Sequence, residues 1–255
     1  MLVVRPRPVP DPAVRLFLFH HAGGSHLLYR GWAAAFPPDW ELCLLAAPGR
    51  AESAAKPPVS DCAELVELFR GAVAPLSDRP FAFYGHSMGA LLAYELTRVL
   101  LDRGEALPCW LGVSAFGAPR APQGPAVRRD LLPDPELKEL LRRIGGNAER
   151  LLEDEGLWRF FGPLFRNDFR LVDSWRPREP FVRLPVPLTA FGGVDDVVVD
   201  AAGLAEWAEH TEEFLGVHRY QGDHFYLRSH RDDLARYITA AVASRTVRAE
   251  AAERQ

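Results

Sequence analysis

An α/β fold, with a mostly parallel central sheet covered by helices on both faces, is what this sequence predicts. Three observations carry the expectation. Short apolar runs alternate along the chain with segments of helical period. The runs are continuous in their apolar character, as in strands buried on both faces, and strands alternating with helices build parallel sheets. Finally, Phe81 to about Leu101 reads as strand, sharp turn and helix, with Ser87 at the apex. The alternation breaks once, between about residues 120 and 185, where a helical insertion is expected.

Taken in order, residues 1–13 read as a proline-stiffened lead-in. Val14 to His20 is a strand closed by the glycine-rich turn His20-His21-Ala22-Gly23-Gly24-Ser25, and Glu41 to Ala46 is a second strand stopped by Ala47-Pro48-Gly49-Arg50. Asp61 is placed to cap a helix whose apolar residues Leu65, Leu68, Phe69 and Val73 share one face. The Phe81–Tyr84 strand and its helix follow, then a buried strand from Trp110 to Phe116 ended by Gly117-Ala118-Pro119. The insertion opens with the proline-rich run from Pro119 to Pro125 and then turns helical. Pro133-Asp134-Pro135 starts a helix over Glu136–Ile144, Asn147 starts a short second one, and Glu155–Trp175 carries a longer third. Pro185–Gly192 returns to strand, Ala201–His210 to helix and Phe214–Tyr220 to strand. Ser229 with Asp232 resembles a capping box for a last helix over Arg231–Ala243, and the polar residues 244–255 are expected to fray.

The composition narrows the function classes. A chain of 255 residues with 48% apolar content suits one large domain with a sizeable core and excludes a disordered chain. With 30 Lys and Arg against 34 Asp and Glu, the net charge of −4 gives no electrostatic case for nucleic acid or an anionic membrane. The three cysteines, Cys43, Cys62 and Cys109, lack metal-site spacing and read as buried reduced thiols. The proline-rich N-terminus does not fit a signal peptide, and no run approaches the roughly 18 apolar residues of a membrane span. A cytoplasmic protein is expected.

Gly85-His86-Ser87-Met88-Gly89 supplies the chemistry. The string alone is weak, but set between strand and helix it is what a nucleophile elbow requires, with glycines where two backbones approach too closely for a Cβ. A serine hydroxyl needs an imidazole to take its proton, and the imidazole needs a carboxylate to fix its tautomer. Of His210, His218, His224 and His230, only His224 lies in a loop directly after a strand, in Gly222-Asp223-His224-Phe225. For the acid, the turn Gly193-Val194-Asp195-Asp196 offers two aspartates, and Asp196 is preferred over Asp195 because an apolar run follows it. Asp223 is a weaker rival, placed to cap its own turn. The oxyanion of an acyl-transfer intermediate needs two donors. The Met88 amide, next to the serine, supplies one, and the Ala22 amide in the glycine-rich turn after the first strand supplies the other. His20 and His21 read as packing or supporting residues and His86 as buried scaffold. In the insertion, Leu157, Phe160, Phe161, Leu164, Phe165 and Phe169 recur at helical spacing. They either pack the insertion onto the body or roof a tunnel for an apolar acyl group, and both readings can hold together.

His21-Ala22-Gly23-Gly24-Ser25, Pro48-Gly49-Arg50, Gly85-His86-Ser87-Met88-Gly89, Arg166-Asn167-Asp168-Phe169, Gly193-Val194-Asp195-Asp196 and Gly222-Asp223-His224-Phe225 occur in order along nearly the whole chain. Together they resemble the stand-alone type II thioesterases of polyketide and nonribosomal peptide assembly lines, members of the α/β-hydrolase superfamily. The resemblance implies a single domain over residues 1–255 with a lid insertion at about 120–185. It implies hydrolysis of acyl groups from the phosphopantetheine thioester of an acyl or peptidyl carrier protein. Ser87, Asp196 and His224 would form the triad, with Ala22 and Met88 as oxyanion donors. No metal or redox cofactor is expected, since phosphopantetheine arrives covalently on the substrate, and the protein is expected to be a monomer. Two positions depart from the pattern: His20 stands where such enzymes commonly have proline, and Ser53 where a second arginine is frequent. For Arg50 a loop-stabilising role is therefore at least as good as a substrate-binding one. Arginines 120, 128, 129, 142 and 143 could face an acidic carrier protein, although solvated helix faces explain them equally well. The rival readings are a carboxylesterase or lipase with the same triad, a fatty-acyl carrier thioesterase, and a non-catalytic binding protein of the same fold.

Overall fold

The structure, a computed structural model, describes residues 2–119, 128–146, 149–178 and 181–253. The run from Arg120 to Pro125 at the opening of the insertion, and Asn147, lie outside the described residues. Among the described residues, seven strands form one sheet: β1 (Val3–Val4), β2 (Val14–Phe19), β3 (Trp40–Leu45), β4 (Phe81–His86), β5 (Leu111–Ser114), β6 (Leu188–Gly193) and β7 (Phe214–Tyr220). Their order is β1-β3-β2-β4-β5-β6-β7, and every neighbouring pair is parallel except β1 with β3. The helices are α1 (Cys62–Val73), α2 (Met88–Asp102), α3 (Asp134–Ile144), α4 (Glu149–Glu153), α5 (Glu155–Ser174), α6 (Ala201–Ala205) and α7 (Arg231–Glu253).

Strand alternation divides the apolar residues between two faces. Phe17, Phe19, Cys43, Leu45 and Phe83 point to one side, where Leu65, Val66, Phe69 and Val73 of α1 and most of α2 pack on them. Leu16, Leu18, Leu42, Leu44 and Tyr84 point to the other, against Trp32, Phe36 and the α7 residues Leu234, Ile238 and Val242. Both faces are dry, which is why the strands read as continuous apolar runs. Each such buried Phe or Leu contributes about 1.5–3 kcal/mol.

The structure corrects five local expectations. The lead-in is not merely stiffened coil, because Val3 and Val4 pair antiparallel with Leu45 and Leu44 as an edge strand. Prolines 6, 8 and 10 then prevent that edge from extending. Leu68 is 38% exposed, since the buried stripe of α1 runs through Cys62, Leu65, Val66, Phe69 and Val73. The helix expected over Ala201–His210 is α6 followed by a 3₁₀ turn at Glu206–His210. Ser229 does not cap α7. It closes the 3₁₀ turn Tyr226–Arg228, and the first bond of α7 runs from the Leu234 amide to the His230 carbonyl at 2.9 Å. Beyond Ala243 the chain remains helical to Glu253, where alanines 249, 251 and 252 supply high helix propensity.

Between β5 and β6, helices α3, α4 and α5 carry their own core of Leu137, Leu141, Ile144, Leu152, Trp158, Phe165 and Phe169. Asp154 caps α5 by accepting from the Leu157 amide at 2.9 Å. This core packs against Ala22, in the turn after β2, and Phe225, in the loop after β7. The insertion therefore sits over the carboxyl ends of the strands, where an open α/β sheet carries its crevice.

Burial holds several histidines neutral. Burial, reinforced by the neighbouring Arg50 charge, pushes the His20 ring down to about 3. Burial pushes His21 and His210 each down to about 4, and His86 well below its ordinary value. Unfolding returns these rings to water, where they titrate near 6.5. Across that interval the unfolded chain binds more protons than the folded one, so stability rises with pH there and is lost as pH falls. Chemical denaturation followed by tryptophan fluorescence should give a midpoint that drops steadily from pH about 6.5 to about 4. A midpoint that stays level across that window contradicts the assignment.

Candidate active site

Strand β4 ends at His86 and α2 begins at Met88, so Ser87 alone makes the turn, with φ 56° and ψ −121°. A non-glycine residue there costs of order 1–3 kcal/mol, and it persists because its surroundings fix it. The Ser87 amide donates to the Ser114 carbonyl at 2.7 Å. A Cβ at Gly85 would overlap the Gly89 carbonyl, and one at Gly89 would overlap the Phe19 carbonyl. Only two glycines let α2 lie so close against β4 and β2.

Behind the serine, His86 is fully buried, with its Nδ1 at 2.8 Å from Ser114 Oγ. Ser114 Oγ is in turn 2.6 Å from the Tyr226 hydroxyl. This chain ties β4 and β5 to the segment just after His224. Tyr226 gave no sign of this role in the sequence, because its partner lies 112 residues away.

The turn after β6 and the loop after β7 meet. His224 Nδ1 lies 2.9 Å from Asp196 Oδ2, and the two side chains are 3% and 0% exposed. With Nδ1 bonded to the carboxylate, Nε2 is left as the basic nitrogen. The other Asp196 oxygen accepts from the Val198 amide at 2.8 Å, fixing the carboxylate plane. Asp195 is exposed, and its backbone amide donates to the Gly222 carbonyl at 3.0 Å. Asp223 Oδ1 accepts from the Phe225 amide at 2.7 Å, as a turn cap. Of the three aspartates, Asp196 is the one that reaches the ring. The other histidines are engaged elsewhere: His210 with the Tyr94 hydroxyl at 3.1 Å, His218 against the Tyr237 ring, and His230 with the Gln221 carbonyl at 2.9 Å.

Ser87, His224 and Ala22 line one cavity of about 980 Å³. Leu157, Phe160, Phe161, Leu164, Phe165 and Phe169 line it as well. Phe165 and Phe169 belong to the insertion core at the same time, so these two both pack the insertion and line the cavity, whereas Phe160 is exposed. Met88 is the first residue of α2, where a backbone N–H has no intrahelical acceptor. His21 packs edge-on against Phe225 with ring centres 4.8 Å apart.

Arg50, at the end of Pro48-Gly49-Arg50, is buried against Asp168 of α5. Arg50 Nη1 donates to Asp168 Oδ2 at 2.6 Å and Nη2 to Oδ1 at 2.8 Å, a two-pronged pair. Burial opposes ionisation of this carboxyl, but the Arg50 hydrogen bonds and charge outweigh it and hold it below the usual carboxylate range. Arg50 is thus committed to the loop framework. Among the insertion arginines, Arg128 pairs with Asp130 at 2.7 Å, Arg129 with Asp173 at 2.5 Å and Arg142 with Glu149 at 2.9 Å. Arg143 is exposed on α3, and Arg120 lies outside the described residues.

Burial pushes the Cys43 thiol up to about 12 and Cys109 to about 11, and raises Cys62 as well, so none is poised as a nucleophile. Among the described residues, no group of three or more His, Cys, Asp or Glu could hold a metal ion, and no helix is long and apolar enough to cross a membrane.

Comparison with known proteins places this geometry. The thioesterase domain family matches residues 14–242. The gramicidin S biosynthesis protein GrsT of Aneurinibacillus migulanus is 35% identical over 229 residues, covering 88% of this chain and 87% of that protein. Thioesterase PikA5 of Streptomyces venezuelae is 32% identical over 233 residues, covering 91% of this chain and 82% of that protein. Among solved structures, the type II thioesterase BorB from the borrelidin biosynthetic cluster superposes with a TM-score of 0.84 at 36% identity, covering 94% of this chain and 97% of that one. The sheet order, the elbow between β4 and α2 and these matches agree: the chain has the α/β-hydrolase fold, hydrolyses thioesters and belongs to the thioesterase family.

Proposed function

We propose that this enzyme releases acyl groups from the phosphopantetheine arm of acyl or peptidyl carrier proteins, clearing stalled or wrongly primed units from polyketide or nonribosomal peptide synthases. The observation that carries the proposal is the strained Ser87 and the Asp196-bound His224 opening together on one large apolar cavity. Such a cavity suits an apolar acyl group delivered on a long, narrow arm. The similarity to GrsT, a gramicidin S biosynthesis protein, and to BorB, a type II thioesterase from the borrelidin biosynthetic cluster, supports the choice of carrier-bound substrates. The same reading makes the protein a cytoplasmic monomer that meets its carrier protein transiently, with the helices between β5 and β6 acting as a lid.

In the mechanism, His224 Nε2 takes the proton from Ser87 Oγ as the oxygen attacks the thioester carbonyl. The amides of Ala22 and Met88 hold the tetrahedral oxyanion, each worth roughly 3 kcal/mol. The C–S bond breaks, His224 returns the proton to the pantetheine sulfur, and an acyl-Ser87 ester remains. Water, deprotonated by the same nitrogen, attacks this ester. The carboxylic acid leaves and Ser87 is regenerated. No metal or redox group takes part in this scheme, and phosphopantetheine enters and leaves with the carrier.

Replacing Ser87→Ala should lower turnover by roughly 10³-fold or more, and activity within about tenfold of the original protein contradicts the nucleophile. Asp196→Asn should cost about 10²–10⁴ in kcat, because the amide favours the wrong imidazole tautomer, whereas Asp195→Asn should stay within about twofold. Equal losses from the two would reopen the choice of acid. For substrate class, intact-mass spectrometry of acyl-loaded carrier protein should show rapid conversion to the free thiol. Good turnover of simple esters with the loaded carrier left untouched would support an esterase instead.

A further inference from the structure

Three segments far apart in the chain converge on a single carboxylate. Asp168 Oδ2 accepts from the Gly23 amide at 2.7 Å and from Arg50 Nη1 at 2.6 Å. Asp168 Oδ1 accepts from Arg50 Nη2 at 2.8 Å and from Asn167 Nδ2 at 3.1 Å. Arg50 Nη1 also donates to the Gly24 carbonyl at 3.1 Å. The turn after β2 is therefore gripped on both sides of one residue pair, by an acceptor on the Gly23 amide and a donor on the Gly24 carbonyl. We propose that Asp168 is a positioning residue for the oxyanion hole: held in plane by Arg50, it fixes the Gly23 peptide and so aims the preceding amide, that of Ala22, at the substrate carbonyl that Ser87 attacks. The inference rests on the reading of Ala22 as an oxyanion donor.

Four features carry it. The Gly23 amide is spent on Asp168, so it cannot turn toward the substrate, and the amide left to do so in this turn is the one before it. The peptide between Ala22 and Gly23 is held at its nitrogen by a charged, buried acceptor, whose hydrogen bonds are short and directional. Gly23 has φ +71°, and a Cβ there would overlap the Phe165 ring, so α5 touches this turn twice from one face, through Phe165 and Asp168 three residues apart. Lastly, a buried ion pair adds little net stability compared with apolar residues of the same volume, while its bidentate geometry fixes direction closely. Asp168 is 1% exposed and acts through Gly23 rather than by touching the acyl group. Because Asp168 belongs to α5, the alignment of the hole depends on the insertion being seated.

The test separates alignment from folding. In the doubly apolar variant Arg50→Met with Asp168→Leu, no buried charge is left unpaired, but the Gly23 amide loses its acceptor. We expect kcat on an acyl thioester to fall about 10²-fold with KM within about threefold, as when an oxyanion donor is lost. Inhibition by a medium-chain alkyl trifluoromethyl ketone, whose adduct on a serine bears the same oxyanion, should weaken by the same factor. The variant Arg50→Met with Asp168→Asn restores a neutral acceptor for Gly23 and should recover most of the loss. If the apolar pair does not fold, Asp168→Ala alone, which also removes the acceptor for the Gly23 amide, is compared instead, and its losses in kcat and in ketone affinity should again match with KM unmoved. Variants that lack the acceptor for Gly23, fold, and yet keep kcat and ketone affinity within about threefold of the original overturn the role of Asp168, as do losses confined to KM or to melting temperature. Failure of the underlying reading looks different: the original protein would form no ketone adduct, and Ser87→Ala would retain turnover.

Discussion

The contact between the start of α2 and the carboxyl ends of β2 and β4 governs this molecule. It requires the absence of two side-chain carbons, at Gly85 and Gly89, and it forces Ser87 into a backbone conformation that an L-residue avoids. Nothing local stabilises that conformation. It is imposed by the sheet below, through the Ser114 carbonyl, and by the helix above, which is buried along almost its whole length. The strain is offset by the apolar surface that α2 and the sheet remove from water. The Ser87 hydroxyl thus owes its direction to bulk packing rather than to any one hydrogen bond.

Around that fixed point the strands act as rulers. The parallel register sets Gly85 beside Phe19, His86 beside Ser114, Ser114 beside Phe191 and Gly193 beside Tyr220. Loops leaving β2, β4, β6 and β7 consequently emerge at one edge of the sheet, which brings Ala22, Ser87, Asp196 and His224 into one neighbourhood. Burial does the rest electrostatically. The side chains of Asp196 and His224 are almost free of solvent, so their hydrogen bond acts in a medium of low effective dielectric. His21 and His86, which neighbour His224, are kept uncharged by the same burial, and this spares the His224 ring two like charges at close range.

Much of this was legible from residues alone, and the reason is punctuation. Ser87, His224 and the pair Asp195–Asp196 each stand where an apolar run meets glycine, so strand ends and loop apices announce themselves within five or six residues. Choosing Asp196 over Asp195 needed only the apolar run that follows. What stayed hidden depends on distant partners. Arg50 and Asp168 are separated by 118 residues and each looks like an ordinary surface charge in its own segment. Tyr226 is one more aromatic in a loop until β5 arrives beside it. β1 is two valines whose strand character exists only because β3 offers an unpaired edge. Leu68 is apolar yet exposed, because the packing stripe of α1 passes to one side of it.

The helices α3, α4 and α5 that line the cavity have their own apolar interior, while Ser87 and His224 hang from loops of the sheet. Such a division lets chain length and branching of the acid released drift through changes in Leu157, Phe160 or Phe161 without disturbing proton transfer. The freedom has a boundary at Phe165 and Asp168, the points where these helices touch the turn after β2. A lineage of these enzymes can therefore be expected to diversify in what it holds far more readily than in how it cuts.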